Sequence, residues 1–219
     1  MIRSSFLVAR QLRASWITGR AIGAVLLAAF LLGGCGERVP RVPAVGPDEV
    51  IVAFGDSLTY GTGAAESESY PAVLTQLIRR KVVRSGVPGE VTAQGLARLP
   101  QVIAEHSPAL MIVCLGGNDM LRRGNEAQIK KNLAEIIRTI RERGISVVLV
   151  GVPKPSLITS APAFYAELAK EFDIPYEGKV VTDVMYQLEL KADPIHPNAK
   201  GYRRMAEAIA QLLKQAGAI

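Results

Sequence analysis

Short apolar runs alternate with longer amphipathic stretches along the chain from residue 49 onward. Residues 50–54 and 109–115 are continuous apolar runs, typical of strands buried on both faces. Residues 81–83 and 145–152 are two further strand candidates. Between these runs, apolar residues recur at steps of three and four, the spacing of one helix face. The helices predicted in this way cover residues 69–80, 92–106, 128–143, 163–172 and 198–215.

This alternation of strand and helix signals indicates the α/β class of fold. Such a pattern is typical of a parallel sheet with helices on both faces. In parallel sheets of this kind, ligands bind at the carboxyl ends of the strands. We therefore expect functional side chains to follow directly after an apolar run.

The N-terminal residues have the pattern of an export signal. Residues 1–20 contain basic but no acidic side chains, and residues 21–32 form the apolar run AIGAVLLAAFLL. This run is shorter than the ~20 residues that span a bilayer. The length therefore favours a cleaved signal peptide that comprises residues 1–34. The following sequence, Leu32-Gly33-Gly34-Cys35, resembles the bacterial lipobox. The alternatives are an ordinary signal peptide with an incidental cysteine and an uncleaved membrane anchor.

A lipidated Cys35 would make the chain an exported lipoprotein. Residues 36–48 contain three prolines and no helix signal, so they are predicted to be a flexible tether that precedes a domain at residues 49–219. Gly36 stands where an aspartate favours inner-membrane retention, so the outer membrane is favoured. The remaining cysteine, Cys114, has no disulfide partner if Cys35 is acylated, and is predicted to be a buried thiol.

The distribution of charge argues against a nucleic-acid partner. The formal net charge is +6, but residues 1–34 carry four arginines and no acids, which leaves +2 for the remainder. A near-neutral domain gives little reason to expect the basic stripe that nucleic acids require. The single tryptophan, Trp16, lies in the leader, so an aromatic platform for bases or sugars is not expected. Neither a cofactor nor an obligate protein partner is indicated.

Two polar clusters follow apolar runs, and a third precedes the last helix. Residues 55–58 read Gly-Asp-Ser-Leu, residues 116–119 read Gly-Gly-Asn-Asp, and residues 193–198 read Asp-Pro-Ile-His-Pro-Asn. A serine nucleophile needs a base within hydrogen-bond reach and a third group that orients the base. The clusters supply Ser57, His196 and Asp193 for these roles.

The chain has only two histidines, and their positions differ. His106 ends a predicted helix before a strand, which is the wrong end of a parallel sheet for chemistry, so a structural role is expected. His196 follows Asp193 by three residues, a spacing that can place carboxylate and imidazole on one side of a turn. The sequence therefore favours His196 as the base.

These clusters resemble the blocks of the GDSL or SGNH hydrolase family. The second block is weaker: residues 86–92 and 94–100 (GVPGEVT and QGLARLP) are similar to the branch of bacterial arylesterases and lysophospholipase/thioesterases. This alignment selects Gly89 as the block glycine, with Gly86 as the alternative. The chain departs from the family in having Arg84-Ser85 where an asparagine commonly precedes the block, and in reading Gly-Glu-Val-Thr.

The resemblance implies a three-layer α/β/α sandwich with a mainly parallel, flavodoxin-like sheet of five strands. It also implies that Ser57 attacks the acyl carbonyl, His196 transfers the proton and Asp193 orients His196. The oxyanion would be held by the backbone N–H groups of Ser57 and Gly89 and by the Asn118 amide. No metal is implied, and Asp56 and Asp119 are expected to accept hydrogen bonds from their own loops.

The function predicted is a serine esterase or lipase that acts on small acyl esters of the aryl ester or lysophospholipid type. Acyl-CoA is scarce outside the cytoplasm, so thioesterase activity would be incidental. A carbohydrate O-deacetylase of the same family is the alternative reaction. A non-catalytic lipoprotein that binds its ligand without turnover, and a flavin- or phosphate-binding module, are alternatives from other classes.

Overall fold

The apolar runs form the strands of a single parallel sheet in the computed structural model, which describes residues 38–154 and 160–219. Within these residues the sheet has five strands in the order β2-β1-β3-β4-β5, and every neighbouring pair is parallel. The strands are β1 (Val50–Gly55), β2 (Lys81–Gly86), β3 (Leu110–Cys114), β4 (Ser146–Val150) and β5 (Tyr176–Glu177). The predicted parallel sheet is confirmed. Strand β5 has two residues and, unlike the other strands, no hydrophobic run.

Helices cover both faces of this sheet. They are α1 (Ser57–Tyr60), α2 (Tyr70–Ile78), α3 (Thr92–His106), α4 (Gly117–Leu121), α5 (Glu126–Arg141), α6 (Ala163–Phe172), α7 (Val180–Tyr186) and α8 (Ala199–Ala216). Helix α2 packs against α8, whereas α3 packs against α5 and α5 against α6. The connection from β1 to β2 runs one way across the sheet, and the connections after β2 run the other way. Because βαβ crossovers are right-handed, these two groups of helices lie on opposite faces. The predicted three-layer α/β/α sandwich is confirmed.

The strand order contains one topological switch point. The chain leaves β1 towards β2 on one side, and leaves β3 towards β4 on the other, although β1 and β3 are neighbours. The connections therefore diverge at the carboxyl ends of β1 and β3, which is where open α/β sheets form their binding crevice. Ser57 follows β1 and Asn118 follows β3, so both begin at this crevice.

The two central strands form the core of the domain. Residues 51–54 of β1 and 110–114 of β3 are completely buried, as expected for strands covered on both faces. Cys114 is one of them and carries a free thiol, which confirms the predicted buried cysteine. The core thus fixes the two strand ends that carry the candidate nucleophile and amide.

The domain begins earlier than the sequence predicts. Residues 36–48 are predicted to be a free tether, but the compact unit starts at Val39. The Val42 and Val45 N–H groups donate to the carbonyls of Ala216 and Ala218, at 3.0 and 2.8 Å, and Val45 is buried. The boundary at residue 49 is therefore wrong, because apolar valines between the prolines pack on the end of α8.

Residues 1–37, with the predicted signal peptide and Cys35, lie outside the described residues. In the part of the chain that is described, no helix has the length and apolarity needed to cross a membrane.

Candidate active site

The three residues predicted for nucleophilic catalysis meet at the carboxyl edge of the sheet. Ser57 is the first residue of α1, and His196 lies on the loop before α8. The Nε2 atom of His196 lies 3.0 Å from Ser57 Oγ, and its Nδ1 atom lies 2.7 Å from Asp193 Oδ2. A carboxylate at Nδ1 favours the tautomer that carries its proton there, which leaves Nε2 to accept the serine proton. The arrangement is that of a Ser-His-Asp triad.

Asp193 builds the loop that carries the histidine as well as orienting its ring. Its Oδ1 atom accepts hydrogen bonds from the N–H groups of Ile195 and His196, at 2.8 and 2.9 Å. Partial burial raises the pKa of Asp193, but these N–H groups and the imidazole outweigh it and hold the pKa below its ordinary value. Asp193 is therefore a carboxylate at neutral pH, as its role as a partner of His196 requires.

Gly63 lets the first loop approach the histidine loop closely. Its φ of 98° is in the left-handed region, and a Cβ atom at this position would lie 2.6 Å from the Pro197 carbonyl oxygen. The neighbouring Thr62 carbonyl accepts a hydrogen bond from Tyr202 Oη at 2.7 Å, which attaches the same loop to α8. The Gly-Thr-Gly sequence after the serine thus holds the loop of Ser57 against the loop of His196.

Asn118 is placed beside the nucleophile by α4. Its Nδ2 atom donates to the Glu90 carbonyl oxygen at 3.0 Å and to Asp56 Oδ2 at 3.3 Å. Asn118 lines the same groove as Ser57 and His196. A transition-state oxygen that forms near Ser57 can therefore take over one N–H of this amide.

The two candidate glycines of the second block have different surroundings. A Cβ atom on Gly86 would lie 2.2 Å from the Tyr60 nitrogen, so Gly86 lets β2 pack beneath α1. Gly89 has a φ of 80°, and a Cβ atom there would meet only Arg122, at 3.9 Å. Gly89 is not among the groove-lining residues, but its neighbour Glu90 holds Asn118. In the described residues neither Ser57 nor Gly89 uses its N–H in a hydrogen bond, so both are available to a substrate.

The triad opens into a small apolar groove with a volume of about 60 Å³. Its polar lining residues are Asp56, Ser57, Asn118 and His196, and the rest of its described wall is apolar. The apolar lining residues are Leu58, Leu121, Val152, Pro153, Val181, Met185, Pro194 and Ile195. Such a groove suits a short acyl or aryl group next to an ester carbonyl.

Comparison with known proteins identifies the family. Residues 53–204 match the model of the GDSL-like Lipase/Acylhydrolase family, which covers more than half of the chain. The chain belongs to this family.

Individual relatives of this GDSL-family chain agree with the match. Thioesterase 1/protease 1/lysophospholipase L1 of Escherichia coli (strain K12) is 30% identical over 174 residues, which are 76% of this chain and 84% of that protein. Esterase TesA of Pseudomonas aeruginosa is 30% identical over 199 residues, covering 85% and 98% of the two chains. The crystal structure of AlinE4, an SGNH-hydrolase family esterase, superposes with a TM-score of 0.60 at 32% identity, covering 79% and 98%. The fold is thus the SGNH hydrolase fold, and the GDSL-family chain is a carboxylic ester hydrolase.

The two aspartates next to Ser57 and Asn118 in this GDSL-family member have different partners. Asp56 accepts a hydrogen bond from Leu58 N–H at 3.0 Å, which confirms the predicted bond to its own loop. Asp119 instead accepts from the N–H and hydroxyl of Thr92, at 2.9 and 2.6 Å, so its predicted own-loop bond is wrong. The reason is that the first turn of α3 offers unpaired N–H groups to a nearby carboxylate. Within the described residues, no cluster of side chains suited to a metal ion is found.

Burial raises the pKa of Asp56 to about 7, although the Leu58 N–H opposes the shift. The folded state therefore holds a proton that the unfolded chain, with a carboxyl pKa of 3.8, has lost between pH 4 and 7. The contribution of Asp56 to stability falls as the pH rises through this window, by about 4 kcal/mol in total. We expect Asp56→Asn to abolish this fall, because its amide does not titrate. Urea denaturation of both proteins between pH 4 and 8 measures it, and parallel curves would contradict it.

Several residues of the site have no clear signal in the sequence. Val181 and Met185 line the groove from α7, a helix of seven residues that is too short to show a periodic pattern. Glu90 and Arg98 form a salt bridge of 2.6 Å behind Asn118. The only sequence signal for Arg98 is its place in the stretch QGLARLP that resembles the family branch.

Proposed function

We propose that the chain is an exported, membrane-anchored esterase that hydrolyses small acyl esters through an acyl-enzyme on Ser57. The observation that carries the proposal is the contact series Ser57–His196–Asp193, with distances of 3.0 and 2.7 Å, at the mouth of an apolar groove. The site supplies a nucleophile, a base, a carboxylate that orients the base, and an amide for the oxyanion.

The first half of the reaction forms the acyl-enzyme. Ser57 Oγ attacks the ester carbonyl carbon while its proton passes to His196 Nε2. The carbonyl oxygen becomes an oxyanion, which the Asn118 amide and the Ser57 and Gly89 N–H groups stabilise. The carbon–oxygen bond to the alcohol then breaks, and His196 returns the proton to the departing alkoxide.

The second half regenerates the serine. A water molecule attacks the acyl carbon as its proton passes to His196 Nε2, and the same donors hold the new oxyanion. The bond to Ser57 Oγ breaks, the serine takes the proton from His196, and the carboxylic acid leaves. Asp193 remains ionised throughout and stabilises the imidazolium that forms twice in each cycle.

The groove supports a small apolar ester as the substrate. The eight aliphatic residues that line it give methylene groups and aryl rings favourable contacts. The relatives include an esterase and a lysophospholipase, which supports the same substrate class. A carbohydrate O-deacetylase is less well supported, because no aromatic residue is among the described residues that line the groove.

The proposed location depends on Cys35. The basic n-region, the 12-residue apolar run and the Leu-Gly-Gly-Cys sequence support acylation of its thiol and attachment to a membrane, with the outer membrane favoured. Metabolic labelling with an alkyne fatty acid tests this proposal. Label in the wild type but not in Cys35→Ser is expected, and equal label in both would refute the proposal.

The substrate proposal is tested with a series of nitrophenyl esters of increasing acyl length, measured beside lysophospholipid and an acetylated sugar. We expect the short nitrophenyl esters to have a kcat/KM at least about 10-fold above that of the acetylated sugar, because the groove leaves sugar hydroxyls without partners. A preference for the sugar would establish the deacetylase instead. Folded protein that hydrolyses nothing in the series would support a binding protein.

A further inference from the structure

The side chain of Arg98 lies behind the loop that carries Gly89. Its Nε atom donates to Glu90 Oε1 at 2.6 Å, and its Nη2 atom donates to Glu90 Oε2 at 2.8 Å. Both oxygens of one carboxylate are thus held by one guanidinium. The Glu90 side chain is only 4% exposed, so this ion pair is shielded from water on the carboxylate side.

The same guanidinium connects two strand ends. It donates to the hydroxyl and carbonyl oxygens of Ser85 at the end of β2, at 2.8 and 3.0 Å, and to the Gly55 carbonyl at the end of β1, at 3.2 Å. Its plane lies over the Phe54 ring, with 4.1 Å from Cζ to the ring centroid. Arg98 therefore joins the ends of β1 and β2 to the Gly89 loop.

Glu90 links Arg98 to the proposed oxyanion donors. Glu90 follows Gly89, and its carbonyl oxygen accepts the Asn118 amide at 3.0 Å. We infer that Arg98 is a positioning residue for the oxyanion hole, which fixes the Gly89 N–H and the Asn118 amide through Glu90. The inference rests on the proposed acyl transfer from Ser57, because an oxyanion forms only in that chemistry.

Arginine suits this position for a geometric reason. A guanidinium is planar and can donate to a carboxylate and to carbonyl groups at once, whereas a lysine ammonium is a single compact donor. A lysine at residue 98 can keep the charge beside Glu90, but cannot also hold Ser85 and Gly55. The loop would then move, and a shift of about 1 Å at a donor can cost roughly 100-fold in rate.

The test is Arg98→Lys with Arg84→Lys as a matched control. Arg84 also contacts a carboxylate, a carbonyl and an aromatic ring, and its side chain is 22% exposed compared with 21% for Arg98. Arg84 contacts neither Glu90 nor Asn118. We expect Arg98→Lys to lower kcat for nitrophenyl acetate roughly 10- to 100-fold with KM changed less than about threefold. Arg84→Lys should keep kcat within about twofold.

A double-mutant cycle separates positioning from general loss of structure. If Arg98 acts through Asn118, Arg98→Lys should cost markedly less in an Asn118→Ala background than in the wild type. An equal cost in both backgrounds, or a loss of kcat no larger than that of Arg84→Lys, would overturn the inference. Should Arg98→Lys fail to fold, Glu90→Gln, which keeps the size of the side chain, is expected to show the same loss of kcat, and unchanged kcat would overturn it. Failure of the proposed function differs, because the wild type would then hydrolyse no ester.

Discussion

Ser57→Ala protein should lose esterase activity by about 10⁴- to 10⁶-fold in kcat, the range seen when one residue of a catalytic triad is removed. Without the hydroxyl no acyl-enzyme can form, and the residual rate comes from the oxyanion donors acting on a directly attacking water. Among the described residues, the oxygen that this change removes bonds only His196, so the fold should persist. Initial rates on nitrophenyl acetate, and labelling by a fluorophosphonate probe, measure the effect.

Ser69→Ala is the control for this experiment. Ser69 is buried and its hydroxyl donates to the Glu66 carbonyl at 2.7 Å and not to a triad residue. Its loss should lower the melting temperature without changing kcat by more than about twofold. Activity or probe labelling in folded Ser57→Ala protein equal to that of the wild type would rule out the serine mechanism.

Asn118→Ala should lower kcat by ~10²–10³-fold, the usual cost of removing one oxyanion-hole donor. The KM should change little, because the amide interacts more strongly with the oxyanion than with the ground-state carbonyl. Steady-state kinetics over a range of nitrophenyl acetate concentrations separate the two parameters. A large rise in KM with normal kcat would mean that Asn118 binds the substrate and not the transition state.

Stability needs a control in this case as well. Removal of the amide leaves the Glu90 carbonyl and the Oδ2 atom of Asp56 without this donor, so some loss of stability is expected. Asn125→Ala removes an asparagine that caps the N-terminus of α5, and should cost about 1 kcal/mol of stability with normal kcat. Comparison of the two variants distinguishes lost catalysis from lost stability.

The sheet and the triad could be predicted from the sequence because their signals are local. A buried parallel strand is a continuous apolar run, and a catalytic group is expected among the first polar residues after its carboxyl end. Ser57 and Asn118 follow this rule. The pair Asp193 and His196 is contained within one turn, and its spacing together with the strand-end serine predicted the contact that the structure has.

Other features depend on contacts between distant residues, which no local pattern encodes. Asp119 bonds Thr92, 27 residues away, and Arg98 bonds Gly55, 43 residues away. The boundary of the domain was misplaced for the same reason. Prolines near Val42 and Val45 indicate an extended segment, but only the end of α8 shows that this segment has a binding partner. Short elements such as β5 also lack enough residues for a periodic signal.

The packing of residues 39–45 has a consequence for access to the groove. This segment lies at the end of α8, whereas His196 precedes its start. The 18 residues of this helix separate the two positions by about 27 Å. The chain therefore enters the domain at the end of α8 that lies away from the triad, so its entry leaves the groove unobstructed.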